Sequence, residues 1–114
     1  IEYCLRSGID GLVAGNTTRS RDGITSISKE KIEEIGNGGM SGAPLHQKNL
    51  ELVKYVHTKS EGKLPIIGVG GIMSPEQAKA MLDAGASLVE IYTGFIYEGP
   101  ALVKNIIKHL ETTL

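Results

Sequence analysis

Two glycine-ended segments carry groups suited to holding an anion. Gly70-Gly71 closes the apolar run Pro65-Ile66-Ile67-Gly68-Val69 and precedes Ser74, a serine placed to cap a helix. A turn without side chains lets backbone amides approach an anion closely, and a helix N-terminus adds partial positive charge. Tyr92-Thr93-Gly94 repeats the device at the end of the run Ser87-Leu88-Val89-Glu90-Ile91. Asn16-Thr17-Thr18 offers an amide that donates and accepts, plus two hydroxyls, suited to a carboxylate and to the carbonyl/NH edge of a ring. Gly38-Gly39-Met40-Ser41-Gly42 has no strand immediately before it, yet its amides can wrap a phosphate or the edge of a flavin ring. Plainer alternatives exist: tight turns for the glycines, and an Asx- or ST-type turn for Asn-Thr-Thr. Two glycine-ended runs in succession favour the anion site over turns alone.

These groups need elements to hold them. Gly11-Leu12-Val13-Ala14-Gly15, the Pro65 run and the Ser87 run are short, Val/Ile-rich and nearly continuously apolar, as a strand buried on both faces reads. Helical patterns lie between them. Residues 47–60 carry Leu50, Val53 and Val56 with a second apolar row at Leu52 and Tyr55. Residues 75–84 follow the cap Ser74, with Pro75 at the first position, Gln77 three residues after the cap and Gly85 beyond the end. From about Pro100, Leu102, Val103, Ile106, Ile107 and Leu110 form one stripe, and residues 1–7 read as the tail of a helix closed by Gly8. Strands alternating with helices predict βα units on a parallel sheet with right-handed crossovers. Ligands of such sheets bind beyond the carboxyl ends of the strands, where the anion motifs fall. Residues 19–44 form the one long connection, polar and Gly-rich, with a short helix expected at 28–35; loops of that length are usually functional or mobile.

Composition narrows the field. The chain has 114 residues, with 12 Lys+Arg against 13 Asp+Glu and a formal net charge of -1, so it offers no general platform for nucleic acid or an anionic membrane. One cysteine excludes an internal disulfide framework and a Cys-based metal cluster. The opening IEYCLRSGID reads as neither signal nor transit peptide, and no apolar run approaches the roughly 20 residues of a membrane span. Glycine is the anomaly, 15 of 114, about 13% where average usage is about 7%. His46, His57 and His109 lack metal-ligand spacing and read as solvated helix-surface residues, Cys4 as a core residue, and residues 29–34 as a solvated helical face. Glu90 is the one charge in the third strand, either buried with a partner or exposed in an incomplete sheet.

Taken together the motifs resemble a known family. Ile66-Ile67-Gly68-Val69-Gly70-Gly71-Ile72-Met73-Ser74, then Ala78 and Gly85-Ala86, are similar to a signature of the dihydroorotate dehydrogenases. Asn16-Thr17-Thr18, Gly38 to Gly42 with Pro44-Leu45, and Tyr92-Thr93-Gly94-Phe95-Ile96-Tyr97-Glu98-Gly99-Pro100 match that family in order. The last run resembles the membrane-associated, quinone-using class 2 branch rather than the soluble class 1 enzymes. The resemblance covers essentially the whole chain and implies an α/β fold, the C-terminal part of a TIM (β/α)8 barrel. About three parallel strands, six to eight, would carry flanking helices in an incomplete barrel, with residues 1–114 forming one portion without an internal domain boundary.

The resemblance implies an FMN phosphate on Gly70, Gly71, Tyr92, Thr93 and Gly94, with Gly42 beside the cofactor. It sets Asn16 and Thr17 against the orotate or dihydroorotate ring. Gly15 stands where class 2 enzymes usually have threonine; a backbone contact to FMN survives that change and a hydroxyl contact does not. The implied reaction, a step of pyrimidine biosynthesis, oxidises dihydroorotate to orotate: a base takes the C5 proton while hydride passes from C6 to FMN, which a quinone later reoxidises. In class 2 enzymes the base is a serine from an earlier strand's loop. That loop is outside this sequence, as are the flavin-supporting lysine and the helices of the quinone tunnel, so no residue here is assigned as the catalytic base. The parent enzyme is expected to be peripheral on an inner membrane, cytoplasmic or mitochondrial. Alternatives are another FMN- or phosphate-binding barrel, or a catalytically inactive folded module. Three strands leave two open edges and one bare face, so the isolated chain is expected to self-associate or to belong to a longer polypeptide.

Overall fold

The computed structural model describes residues 1–113. Helix α1, Glu2–Ser7, ends at Gly8, whose φ of 74° is the left-handed conformation that stops a helix without a Cβ clash. Strand β1, Leu12–Ala14, is followed by the long connection, which contains α2, Lys29–Ile35, capped by the Ser28 hydroxyl on the Lys31 amide. A 3₁₀ turn at Ala43–Leu45 leads into α3, His46–Lys59, then β2, Ile66–Val69, and α4, Pro75–Asp83. Strand β3, Leu88–Glu90, precedes a short helix α5, Thr93–Glu98, and the final helix α6, Pro100–Thr113.

The sheet is parallel in the order β1-β2-β3, with Ala14 beside Gly68 and Gly68 beside Val89. Alternation splits it into two faces. Leu12, Ala14, Ile66, Gly68 and Val89 point toward the helices, where Val53 and Val56 of α3, Ala78 and Met81 of α4, and Leu102 and Ile106 of α6 complete the core. Ile66, Val53 and Met81 are wholly buried, and side chains of that size contribute about 1.5–3 kcal/mol each when withdrawn from water. Gly68 leaves room for Met81, whose side chain occupies the space a Cβ there would take. The other face, with Val13, Ile67, Val69, Leu88 and Glu90, has no covering layer among the described residues: Val13 is 54% and Leu88 63% exposed.

The expected parallel strands with flanking helices are present, with three differences in detail. The third strand ends at Glu90, and Thr93-Gly94 opens α5, a helix the sequence reading missed because its residues continue an apolar run. On α3 the buried stripe is Asn49, Val53 and Val56, while Leu52 and Tyr55 are exposed. Ser74 accepts from the Gln77 amide at 3.3 Å as expected, but the Gln77 side chain reaches back to the Met73 amide at 2.8 Å, one residue earlier than a capping box.

Candidate functional site: a cavity at the carboxyl ends of the strands

All three strands end at one cavity of about 220 Å³. It gathers Gly15, Asn16 and Thr17 from beyond β1, Gly70 and Gly71 from beyond β2, and Tyr92, Thr93 and Gly94 from beyond β3. Gly42 joins them from the end of the long connection, so every site residue expected from the sequence borders the same space.

The long connection is folded back to make this possible. Thr18 and Met40 form an antiparallel bridge, with Met40 N–H donating to Thr18 O at 2.7 Å and Thr18 N–H to Met40 O at 3.0 Å. The Arg21 guanidinium donates to the carbonyls of Thr18, Gly36 and Gly38, closing the excursion with one side chain. Residues 41 and 42 are thereby returned to the cavity, where Thr93 Oγ1 donates to Ser41 Oγ at 2.9 Å. Ser41 is a site residue the sequence reading quoted within its glycine run but did not single out.

The backbone supplies the donors. Among the described residues, no acceptor takes the amides of Gly71, Thr93 or Gly94, while the pairing of Val69 with Glu90 turns the Gly70 amide toward β3. Buried or half-buried N–H groups are nearly always paired, so three unpaired donors on one cavity are suited to an anion. Gly70 and Gly71 have φ of 96° and 79°, which only glycine adopts readily. Packing also demands these glycines: a Cβ at Gly71 would collide with the His46 backbone, and one at Gly94 with the Ile72 carbonyl. The helix dipole comes from an unexpected source. The N-terminus of α4 is satisfied by Ser74, and neither Ser74 nor Pro75 reaches the cavity; the first turn of α5 does.

Side chains at the rim are less committed. Asn16 turns back so that its Oδ1 accepts from the adjacent Thr17 amide at 2.7 Å, one residue short of an Asx turn, and Thr18 Oγ1 accepts from the Ser20 amide at 3.2 Å, an ST-type turn. Glu90 borders the cavity and is exposed, the incomplete-sheet alternative. His46 is a correction: it is half-buried, its Nδ1 is buried without a partner, and burial lowers its pKa from 6.5. His57 is exposed as expected, and its ring lies over the chain turn at Gly85, where a Cβ would collide with it. Cys4 is free and partly buried against the core. Among the described residues there is no group of His, Cys, Asp and Glu able to hold a metal, and no helix long and apolar enough to cross a membrane.

Parallel strands backed by helices, with a glycine-lined cavity beyond their carboxyl ends, are the layout of an α/β protein of the barrel type. The family model for dihydroorotate dehydrogenase matches residues 2–114, and the chain belongs to that family. It is 50% identical over 104 residues to a dihydroorotate dehydrogenase (quinone) of Salinispora arenicola, covering 91% of this chain and 30% of that protein. A dihydroorotate dehydrogenase (quinone) of Idiomarina loihiensis is 47% identical over 106 residues, 93% of this chain and 30% of the relative. The crystal structure of DHODH in complex with ferulenol from Eimeria tenella superposes with a TM-score of 0.84 at 35% identity, covering 96% of this chain and 28% of that one. The chain thus spans somewhat under a third of the length of the proteins it matches, and its three strands are a part of their barrel.

Proposed function

We propose that these residues form the flavin-phosphate end and part of the substrate wall of a quinone-dependent dihydroorotate dehydrogenase, one C-terminal portion without an internal domain boundary. The observation that carries this reading is the convergence of three unpaired amides, from Gly71, Thr93 and Gly94, on one cavity that Gly70 also lines. Such a cradle fits the phosphate of FMN, with Tyr92 at its rim and Gly15 and Gly42 beside the cofactor. When bound there, FMN supplies the hydride-accepting chemistry by which dihydroorotate becomes orotate. Asn16 and Thr17 would hold the substrate ring, the Asn16 amide leaving its local turn to do so. The chain's own contribution is binding, orientation and electrostatics. The catalytic base, the quinone path and the peripheral attachment to an inner membrane belong to parts of the enzyme outside these residues.

A second reading has its own support: with one sheet face bare, the isolated 114 residues are a folded but inactive module. One assay addresses both. The complete enzyme carrying this segment is expected to reduce a dye with dihydroorotate in an FMN-dependent manner, and the isolated chain with added FMN is not. Failure of the complete enzyme with dihydroorotate would sink the proposed substrate. Robust turnover by the isolated chain would sink the assignment of the base elsewhere.

A further inference from the structure

Asn49 is a polar residue on the stripe of α3 that faces the core, four positions before Val53, and it is 2% exposed. Its Nδ2 donates to the Val69 carbonyl at 3.0 Å. The β1–β2 ladder shows why that carbonyl is free. Leu12 N–H donates to Pro65 O at 2.9 Å, and in a parallel pair every second residue repeats the bond, so Asn16 N–H is due on Val69 O. Among the described residues that bond is not formed. Gly15, at φ 136°, turns the chain away and passes so near Val69 that a Cβ would collide with its carbonyl oxygen. The Asn49 amide occupies the donor's place. It also abuts Gly70, where a Cβ would collide with Nδ2. One buried side chain therefore bonds the carbonyl that Gly15 abuts and packs against Gly70, where β2 leaves the sheet for the cavity.

We propose that Asn49 is a positioning residue of the anion site. It caps β2 in place of the Asn16 amide, holds the Gly70-Gly71 turn in the geometry that leaves the Gly71 amide unpaired, and frees Asn16 to border the cavity. This rests on the phosphate reading given above. Asn suits the role because it donates without charge; an aspartate has the same shape, no donor, and a negative charge beside an anion site.

The test compares FMN with riboflavin, which differ in the phosphate, by quenching of flavin fluorescence in the complete enzyme prepared free of flavin. The unsubstituted enzyme is expected to favour FMN. Asn49→Asp is expected to lose FMN affinity by about tenfold or more, with riboflavin affinity altered by less than about twofold. Asn49→Ala, which lacks a donor and cannot overpack, keeps the test open should the aspartate variant fail to fold, and the same selective loss is expected. Equal losses for both flavins would reduce Asn49 to a structural residue and overturn the proposal, as would an unchanged FMN preference. An unsubstituted enzyme that binds both flavins equally would instead overturn the phosphate reading, and the proposal with it.

Discussion

His46 illustrates what a single residue's burial does to stability. Desolvation favours its neutral form, so its pKa in the fold lies below the 6.5 of the exposed group. The unfolded chain then binds more protons than the native one between the two values. The contribution to stability is full above about pH 6.5 and is lost as pH falls from there toward the native pKa. Thermal unfolding followed by circular dichroism should show a smaller drop for His46→Gln than for the unsubstituted protein between about pH 7.5 and about pH 5.5. Equal drops would mean that the imidazole gains no advantage from being neutral. The same region shows what was readable at this scale. That Gly70, Gly71, Tyr92, Thr93 and Gly94 would border one cavity followed from type and position; the places of Asn49 and Ser41 did not. A lone Asn at helical spacing with Val53 and Val56 was a signal, but its meaning depends on a carbonyl twenty residues away.

At the scale of elements, local chemistry and tertiary demand agree at α4 and diverge at α5. Ser74 and Pro75 announce the start of α4, and the structure gives Ser74 its cap bond to Gln77. Ser74→Ala is expected to cost about 1 kcal/mol, measured as a shift in the urea midpoint, while Ser74→Asp should retain most of the stability. A neutral alanine substitution would show that the Gln77–Met73 bond alone holds the turn. Helix α5 has no comparable announcement. Tyr92, its N-cap, makes no side-chain cap bond, and the helix exists where Gly94 fits against the Ile72 carbonyl. That is a packing constraint, and periodicity over six residues cannot reveal it.

The whole molecule is a flattened layer, 46 × 35 × 18 Å with a radius of gyration of 15.6 Å, against about 13 Å for a compact chain of this length. Its shape follows from the sheet. One face is packed by helices; the other shows Val13 and Leu88, and among the described residues both edges are unpaired. Val103 and Ile107, part of the apolar stripe of α6, are also exposed and line a groove beside β3 with Leu82, Leu88 and Ile91. Residues chosen for burial are left in water, and unpaired edges invite pairing. Size-exclusion chromatography with light scattering should therefore find the isolated chain self-associated. A monomer that persists at high concentration would show that these surfaces tolerate water.

Short-range information was enough for the alternation of strands and helices, the parallel sheet, the turns of Gly8 and Gly85 and the anion motifs, because each depends on periodicity, capping or backbone conformation within a few residues. That the fifteen glycines are so numerous was visible from composition. Their double duty was not: Gly15, Gly71 and Gly94 are required by the Val69 carbonyl, the His46 backbone and the Ile72 carbonyl as much as by any ligand. Which helix end faces the cavity, which rim side chains are tied up in local turns, and which buried amide takes the place of a missing ladder bond were decided only in three dimensions. Each depends on groups far apart in sequence meeting at distances that the fold alone sets.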